Sequence, residues 1–209
     1  MNSSLLILLI SVLTVSANFF SSLRSRNVEE YEGWNLMEDF DILHHLIRMR
    51  HQSPELRINV TYVLAARQRA VQWALNDGQQ PPALELPVDE NVHIHANPDD
   101  TVTPDDVIDV WYRQAEREYD YENPVASEAN LSMLRIVSKS TQEYGCGQAK
   151  VRDGVTGIYT VCLYSPKYVP GKESENVLKP IYHFEPESDI EAATAADAAT
   201  NEADSEQSK

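Results

Sequence analysis

The stretch from Tyr144 to Pro166 reads Tyr-Gly-Cys-Gly-Gln-Ala-Lys-Val-Arg-Asp-Gly-Val-Thr-Gly-Ile-Tyr-Thr-Val-Cys-Leu-Tyr-Ser-Pro and holds both cysteines of the chain. Asp153-Gly154 and Gly157 supply residues that tolerate positive φ. Ile158, Tyr159, Thr160, Val161, Leu163 and Tyr164 suit a pleated surface, so the stretch predicts a β-hairpin. Cys146 and Cys162 lie at nearly equal distances from Gly154. Folding about that turn brings them opposite one another, where Cβ separations of about 4.5–5.5 Å approach disulfide geometry. The pair is then one cross-strand disulfide or, alternatively, two buried thiols.

Outward from the hairpin, the chain has the size of one well-filled domain with tails: 209 residues, 42% of them hydrophobic. A formal net charge of −16 argues against a polyanionic partner such as nucleic acid and against an anionic membrane surface. Residues 1–17 read as a secretory signal peptide, with the apolar run Leu5-Leu6-Ile7-Leu8-Leu9-Ile10 and small residues Val15-Ser16-Ala17 at its end. No other apolar run approaches the roughly 20 residues of a membrane span, so no stable membrane insertion is expected. Secretion into an oxidising compartment favours the Cys146–Cys162 bridge.

Residues 18–34 are polar and mixed and read as a loosely held leader. Leu36, Phe40, Ile42, Leu43, Leu46, Ile47 and Met49 then recur at helical spacing, ending before Pro54. His44, Arg48 and His51 fall on one face of this helix, which assigns them a packing and capping role. A second helix runs from Val60 to Leu75 and stops at Asn76-Asp77-Gly78, where glycine offers a left-handed cap. Thr103-Pro104-Asp105-Asp106 starts a third, expected to reach about Tyr121, and 126–137 reads as a short fourth. From Glu185 the chain alternates Ala, Thr, Ser and acids with almost no large apolar residue, so 185–209 reads as a disordered acidic tail.

Gly145-Cys146-Gly147-Gln148-Ala149, Val161-Cys162-Leu163-Tyr164-Ser165-Pro166, and His44, Arg48, His51, Pro54 and Leu56 in their ungapped spacing resemble the signatures of the CAP superfamily, the cysteine-rich secretory, antigen 5 and pathogenesis-related 1 proteins. Weaker likenesses lie at Ala65–Ala74, at Glu90-Asn91-Val92 and at Trp111-Tyr112-Arg113-Gln114. The resemblance implies a domain over 35–184. Its fold would be α+β, an α-β-α sandwich with a small, mainly antiparallel sheet between helical layers. It also implies that Cys146 and Cys162 are bonded to each other.

Many CAP proteins carry two His and two Glu in a cleft that can hold a divalent metal. Carried over residue by residue, only Glu90 survives. The stretch from Leu75 to Asp89 contains no histidine, Gln114 stands for the second Glu, and Ser132 stands for the second His. Gln114 neither titrates nor carries charge. One carboxylate does not make a zinc site, so no metal and no cofactor is expected. A relocated set is the alternative, with His93 and His95 on one side of a strand close after Glu90. Asn59 and Asn130 head N-glycosylation sequons; Asn59 also sits where an N-cap would. The reading that results is a secreted, non-enzymatic protein that binds an extracellular partner protein, in reproduction, venom or saliva, or defence. The alternatives are a lipid or sterol carrier and a weak metal-dependent hydrolase.

Overall fold

A computed structural model describes residues 28–30, 34–151 and 157–181. The signal peptide, most of the leader, the Asp153-Gly154 turn and the acidic tail lie outside the described residues. The chain divides into two units, Met1–Lys179 and Pro180–Lys209; of the second only 180 and 181 are described, and the architecture below is that of the first.

Its elements in chain order are β1 (Val28–Glu30), α1 (Trp34–Arg50), β2 (Arg57–Ile58), α2 (Val60–Leu75), β3 (Asp89–His95), α3 (Pro104–Ile108), a π-helical turn (Asp109–Arg113) and α4 (Gln114–Glu118). They continue with α5 (Leu131–Val137), β4 (Glu143–Val151), β5 (Gly157–Ser165) and α6 (Glu173–Asn176). The hairpin of β4 and β5 is the centre of the sheet, whose order is β1-β4-β5-β3, with β2 pairing parallel to β4. Its register sets Cys146 directly against Cys162, and the two form a disulfide. All other pairings are antiparallel.

Alternation along the hairpin divides the molecule into layers. Tyr144, Cys146, Ile158, Cys162 and Tyr164 join the cluster built by α1, α3, the π-helical turn and α5, with Phe40, Trp111, Met133 and Leu134 in its centre. Ala149, Val151, Tyr159, Val161 and Leu163 pack with Ala66, Ala70, Val71 and Ala74 of α2. The fold is an α-β-α sandwich. Gly145 and Gly147 belong to the α2 side, where a Cβ would stand 2.3 Å from the Val63 nitrogen and 2.4 Å from the Arg67 nitrogen. Glycine on either side of Cys146 therefore lets the backbone of α2 lie on the strand, while the cysteine itself points to the other layer.

Local chemistry explains the boundaries. Asn59 caps α2 by accepting from the Thr61 amide, and the helix ends through Asp77 (φ 54°) and Gly78 (φ 73°). Thr103 and Asp106 form a reciprocal capping box at the start of α3. Three expectations are corrected. The third helix stops at Glu118 rather than about Tyr121, because the Asp120 carboxylate accepts from the amides of Glu122 and Asn123 and closes a turn. The fourth begins at Leu131 rather than 126, since the Asn130 side chain accepts from the Ser127 amide and donates to the Val125 carbonyl. Val28–Glu30, inside the stretch read as a leader, is a strand paired with Ala149–Val151.

At the margin of the sheet the carbonyls of Glu90 and Val92 on β3 accept from Arg135 Nη1 (2.8 Å) and Trp111 Nε1 (3.2 Å). Among the described residues no helix is long and apolar enough to cross a membrane.

Candidate functional site

The remnant positions start from β3. Its alternation puts Asp89, Asn91, His93 and His95 on the face towards α1, and Glu90, Val92 and Ile94 on the face towards α2. Glu90 is consequently met by two side chains one helical turn apart on α2. Its Oε1 accepts from Arg69 Nε (2.9 Å) and Trp73 Nε1 (2.6 Å), and Oε2 accepts from Arg69 Nε at 3.1 Å. The Arg69 side chain is 2% exposed and donates onward to Gln72 Oε1 (3.0 Å) and the Pro82 carbonyl (2.7 Å). A carboxylate held by a buried guanidinium and an indole is a structural counter-ion whose lone pairs are already engaged. Beside it, a pocket of about 530 Å³ is lined by Arg69, Gln72, Leu75, Leu84 and Glu85 among others.

Gln114 is exposed and donates to Asp109 Oδ2 at 3.2 Å. Ser132 is engaged through its carbonyl, which accepts from Asn91 Nδ2 at 3.0 Å. Asn91 in turn accepts from Arg135 Nη1 at 3.1 Å. Each of the three positions thus has its own set of partners.

His93 and His95 share a face, but Glu90 is on the other. His93 is half-buried, and burial together with His95 holds its imidazole below the usual range against the pull of Asp106. His95 Nε2 lies 2.5 Å from Asp100 Oδ2, and Asp100 Oδ1 accepts from Asn97 Nδ2 at 2.7 Å. Among the described residues no group of three or more His, Cys, Asp or Glu is placed to hold a metal ion.

The face of α1 that carries His44, Arg48 and His51 is a buried polar network. His44 Nδ1 donates to the Phe40 carbonyl (2.7 Å), and its Nε2 accepts from the Tyr164 hydroxyl (2.9 Å). His51 Nδ1 donates to the Leu178 carbonyl (2.6 Å), and its Nε2 accepts from Tyr112 (3.0 Å). Burial, the largest effect on each, pulls both imidazoles down to about 4, so both are neutral at physiological pH. Arg48 donates to the carbonyls of Pro54, Ile136, Ser138 and Thr141 at 2.6–3.1 Å. Burial lowers its guanidinium to about 10, which leaves it cationic at neutral pH and solvated by main chain.

Of the sequon asparagines, Asn59 accepts from Thr61 N and donates to Glu143 Oε2 (3.0 Å), and Asn130 is tied to Ser127 and Val125. The sequence reading missed Arg69 and Arg50. Arg69 carried a signal, since Arg69 and Trp73 stand four apart on the helix facing Glu90. Arg50, 1% exposed and donating to the Tyr112 hydroxyl at 2.9 Å, carried none.

With the geometry in place, comparison with known proteins is informative. The model of the CAP, cysteine-rich secretory protein family matches residues 43–164, more than half of the chain. The crystal structure of hookworm platelet inhibitor is 19% identical, with 74% of this chain and 79% of that one covered and a TM-score of 0.50. Schistosoma mansoni venom allergen-like protein 4 is 17% identical, with 73% and 97% covered and a TM-score of 0.48. The hookworm likeness, at this identity, speaks for fold alone, whereas the family match extends from the middle of α1 to the penultimate residue of β5. The chain belongs to the CAP, cysteine-rich secretory protein family.

Proposed function

We propose that this CAP-family chain is a secreted, non-enzymatic protein that acts by binding an extracellular protein through its surface. The observation that supports this reading is the state of Glu90. The one carboxylate carried over from the family's metal-holding cleft is bound by Arg69 and Trp73 and turned away from His93 and His95. A carboxylate already engaged by two donors and facing away from both imidazoles does not complete a ligand set with them. The hookworm protein of similar fold is named a platelet inhibitor, a label compatible with action through binding.

The experiment is affinity capture by the disulfide-intact protein from the fluid into which it is secreted. The expected result is one protein retained and displaced by excess free chain; retention of none refutes the reading. Zinc titration accompanies it. One equivalent of bound zinc that is lost in a His93→Ala, His95→Ala variant would overturn the reading of an empty cleft and favour the hydrolase alternative. The apolar residues Leu75, Ala83 and Leu84 of the pocket beside α2 favour the lipid carrier as second reading. Lipid co-purifying at one equivalent, detected by mass spectrometry, would support that carrier role.

A further inference from the structure

Helix α1 buries its cations and exposes apolar residues. Arg48 and Arg50 are each 1% exposed, while Ile42, Leu46 and Met49 stand at 54%, 38% and 48%. Helical spacing alone groups these three with Leu36, Phe40, Leu43 and Ile47, from which their exposure separates them. Steps of four and three set them in line along the outer face, among exposed Glu38, Asp39 and His45. No lysine or arginine of α1 reaches that face.

Beside the line the surface dips into a cavity of about 360 Å³, walled by Ile42, Leu46 and Leu56 and bearing Asp41, His45 and Glu55. Asp41 Oδ1 accepts from the Tyr144 hydroxyl at 2.8 Å; Oδ2 has no partner among the described residues. Glu55 has a 73% exposed side chain and lies 2.6 Å from His45 Nδ1. Arg57, the nearest cation along the chain, is paired with Glu143 at 3.0 Å.

The geometry points to a docking site for a partner-protein segment that presents an arginine or lysine side chain flanked by apolar residues, a refinement that rests on the protein-binding reading above. The cavity walls match an aliphatic stem, and the two carboxylates match its cationic head. Ile42, Leu46 and Met49 receive the flanking apolar side chains and exclude water around the ion pairs. A purely apolar occupant would strip water from two carboxylates without replacing it. A second copy of this chain would bring a net charge of −16 against another of −16.

The test uses nitrogen-15-labelled, disulfide-intact protein and a capped hexapeptide with one arginine flanked by leucines, beside the same peptide carrying citrulline, which keeps the shape and loses the charge. The arginine peptide should shift resonances of 41–56 saturably and bind about tenfold more tightly than the citrulline peptide, the worth of two exposed ion pairs. Glu55→Gln should weaken the arginine peptide about fivefold and leave the citrulline peptide unchanged. Leu46→Ser should weaken both. Equal binding of the two peptides, shifts elsewhere, or no saturable binding overturns the proposal. So do shifts of 41–56 on concentrating the protein alone, which would make a second copy the occupant. Because the probe is synthetic, these failures leave the capture experiment and its reading standing.

Discussion

Replacing Arg48 by lysine isolates what the guanidinium contributes beyond its charge. Arg48 donates four hydrogen bonds, from Nε to Pro54, from Nη1 to Ile136 and Ser138, and from Nη2 to Thr141. These carbonyls come from the turn after α1, from α5 and from the loop before β4. A lysine ammonium has three donors on one atom and cannot span a planar fork, so at least one carbonyl loses its partner. A hydrogen bond to a charged group contributes about 1.5–3 kcal/mol, so Arg48→Lys should cost about 2–3 kcal/mol. For a domain of this size that lowers the melting temperature by about 5–10 °C. Arg48→Met strands all four carbonyls, at about 1–3 kcal/mol each, which rivals the entire stability of an ordinary domain. It should not accumulate as folded protein. Thermal melts by circular dichroism, with urea curves to check that the slope is unchanged, measure both. An Arg48→Lys protein that melts within about 2 °C of the parent would refute the tethering role, as would a folded Arg48→Met protein.

Three further outcomes are expected. Joint replacement of Cys146 and Cys162 by alanine opens a loop of sequence separation 16 and should cost about 3 kcal/mol in urea unfolding; a cost near zero would show that the bridge does not constrain the unfolded chain. Gly147→Ala places a methyl 2.4 Å from the Arg67 nitrogen of α2, and should destabilise by at least the roughly 1–3 kcal/mol of ordinary overpacking, whereas an unchanged melt would mean that the helix can move off the sheet. His44 and His51, ordinarily near 6.5 and pulled to about 4 by burial, bind protons more readily in the unfolded chain. Their contribution is full above about pH 6.5 and is lost as pH falls towards 4, by about 1.4 kcal/mol per pH unit and histidine; urea midpoints that stay flat from pH 6.5 to 5 would contradict it.

Much of the fold was legible because its rules are local. The β4–β5 register follows from the placement of two cysteines about one turn, and α2 occupies the expected Val60–Leu75 because Asn59 and Gly78 mark its ends. The departures arise where one side chain competes with the helix, as Asp120 and Asn130 do, or where pairing is long-range, as between Val28–Glu30 and β4. The candidate site was legible in part. Alternation set His93 and His95 on one face, and the same alternation removes Glu90 from them. The buried guanidiniums of Arg50 and Arg69 were invisible to hydrophobic periodicity, which also does not separate exposed Ile42, Leu46 and Met49 from buried Leu36, Phe40 and Ile47. A helix that buries arginines breaks the rule on which periodicity depends.

The bonds from Arg135 and Trp111 to the main chain of β3 have a bearing on how the chain behaves at high protein concentration. A lateral strand with open carbonyls is a template on which a neighbouring chain can add itself, and fibrous deposits grow that way. Here an indole and a guanidinium from the chain's own helices occupy two of those acceptors, at Glu90 and Val92. The sheet is thereby stoppered at that flank without needing a further strand, and Trp111→Phe would remove one stopper while keeping the ring.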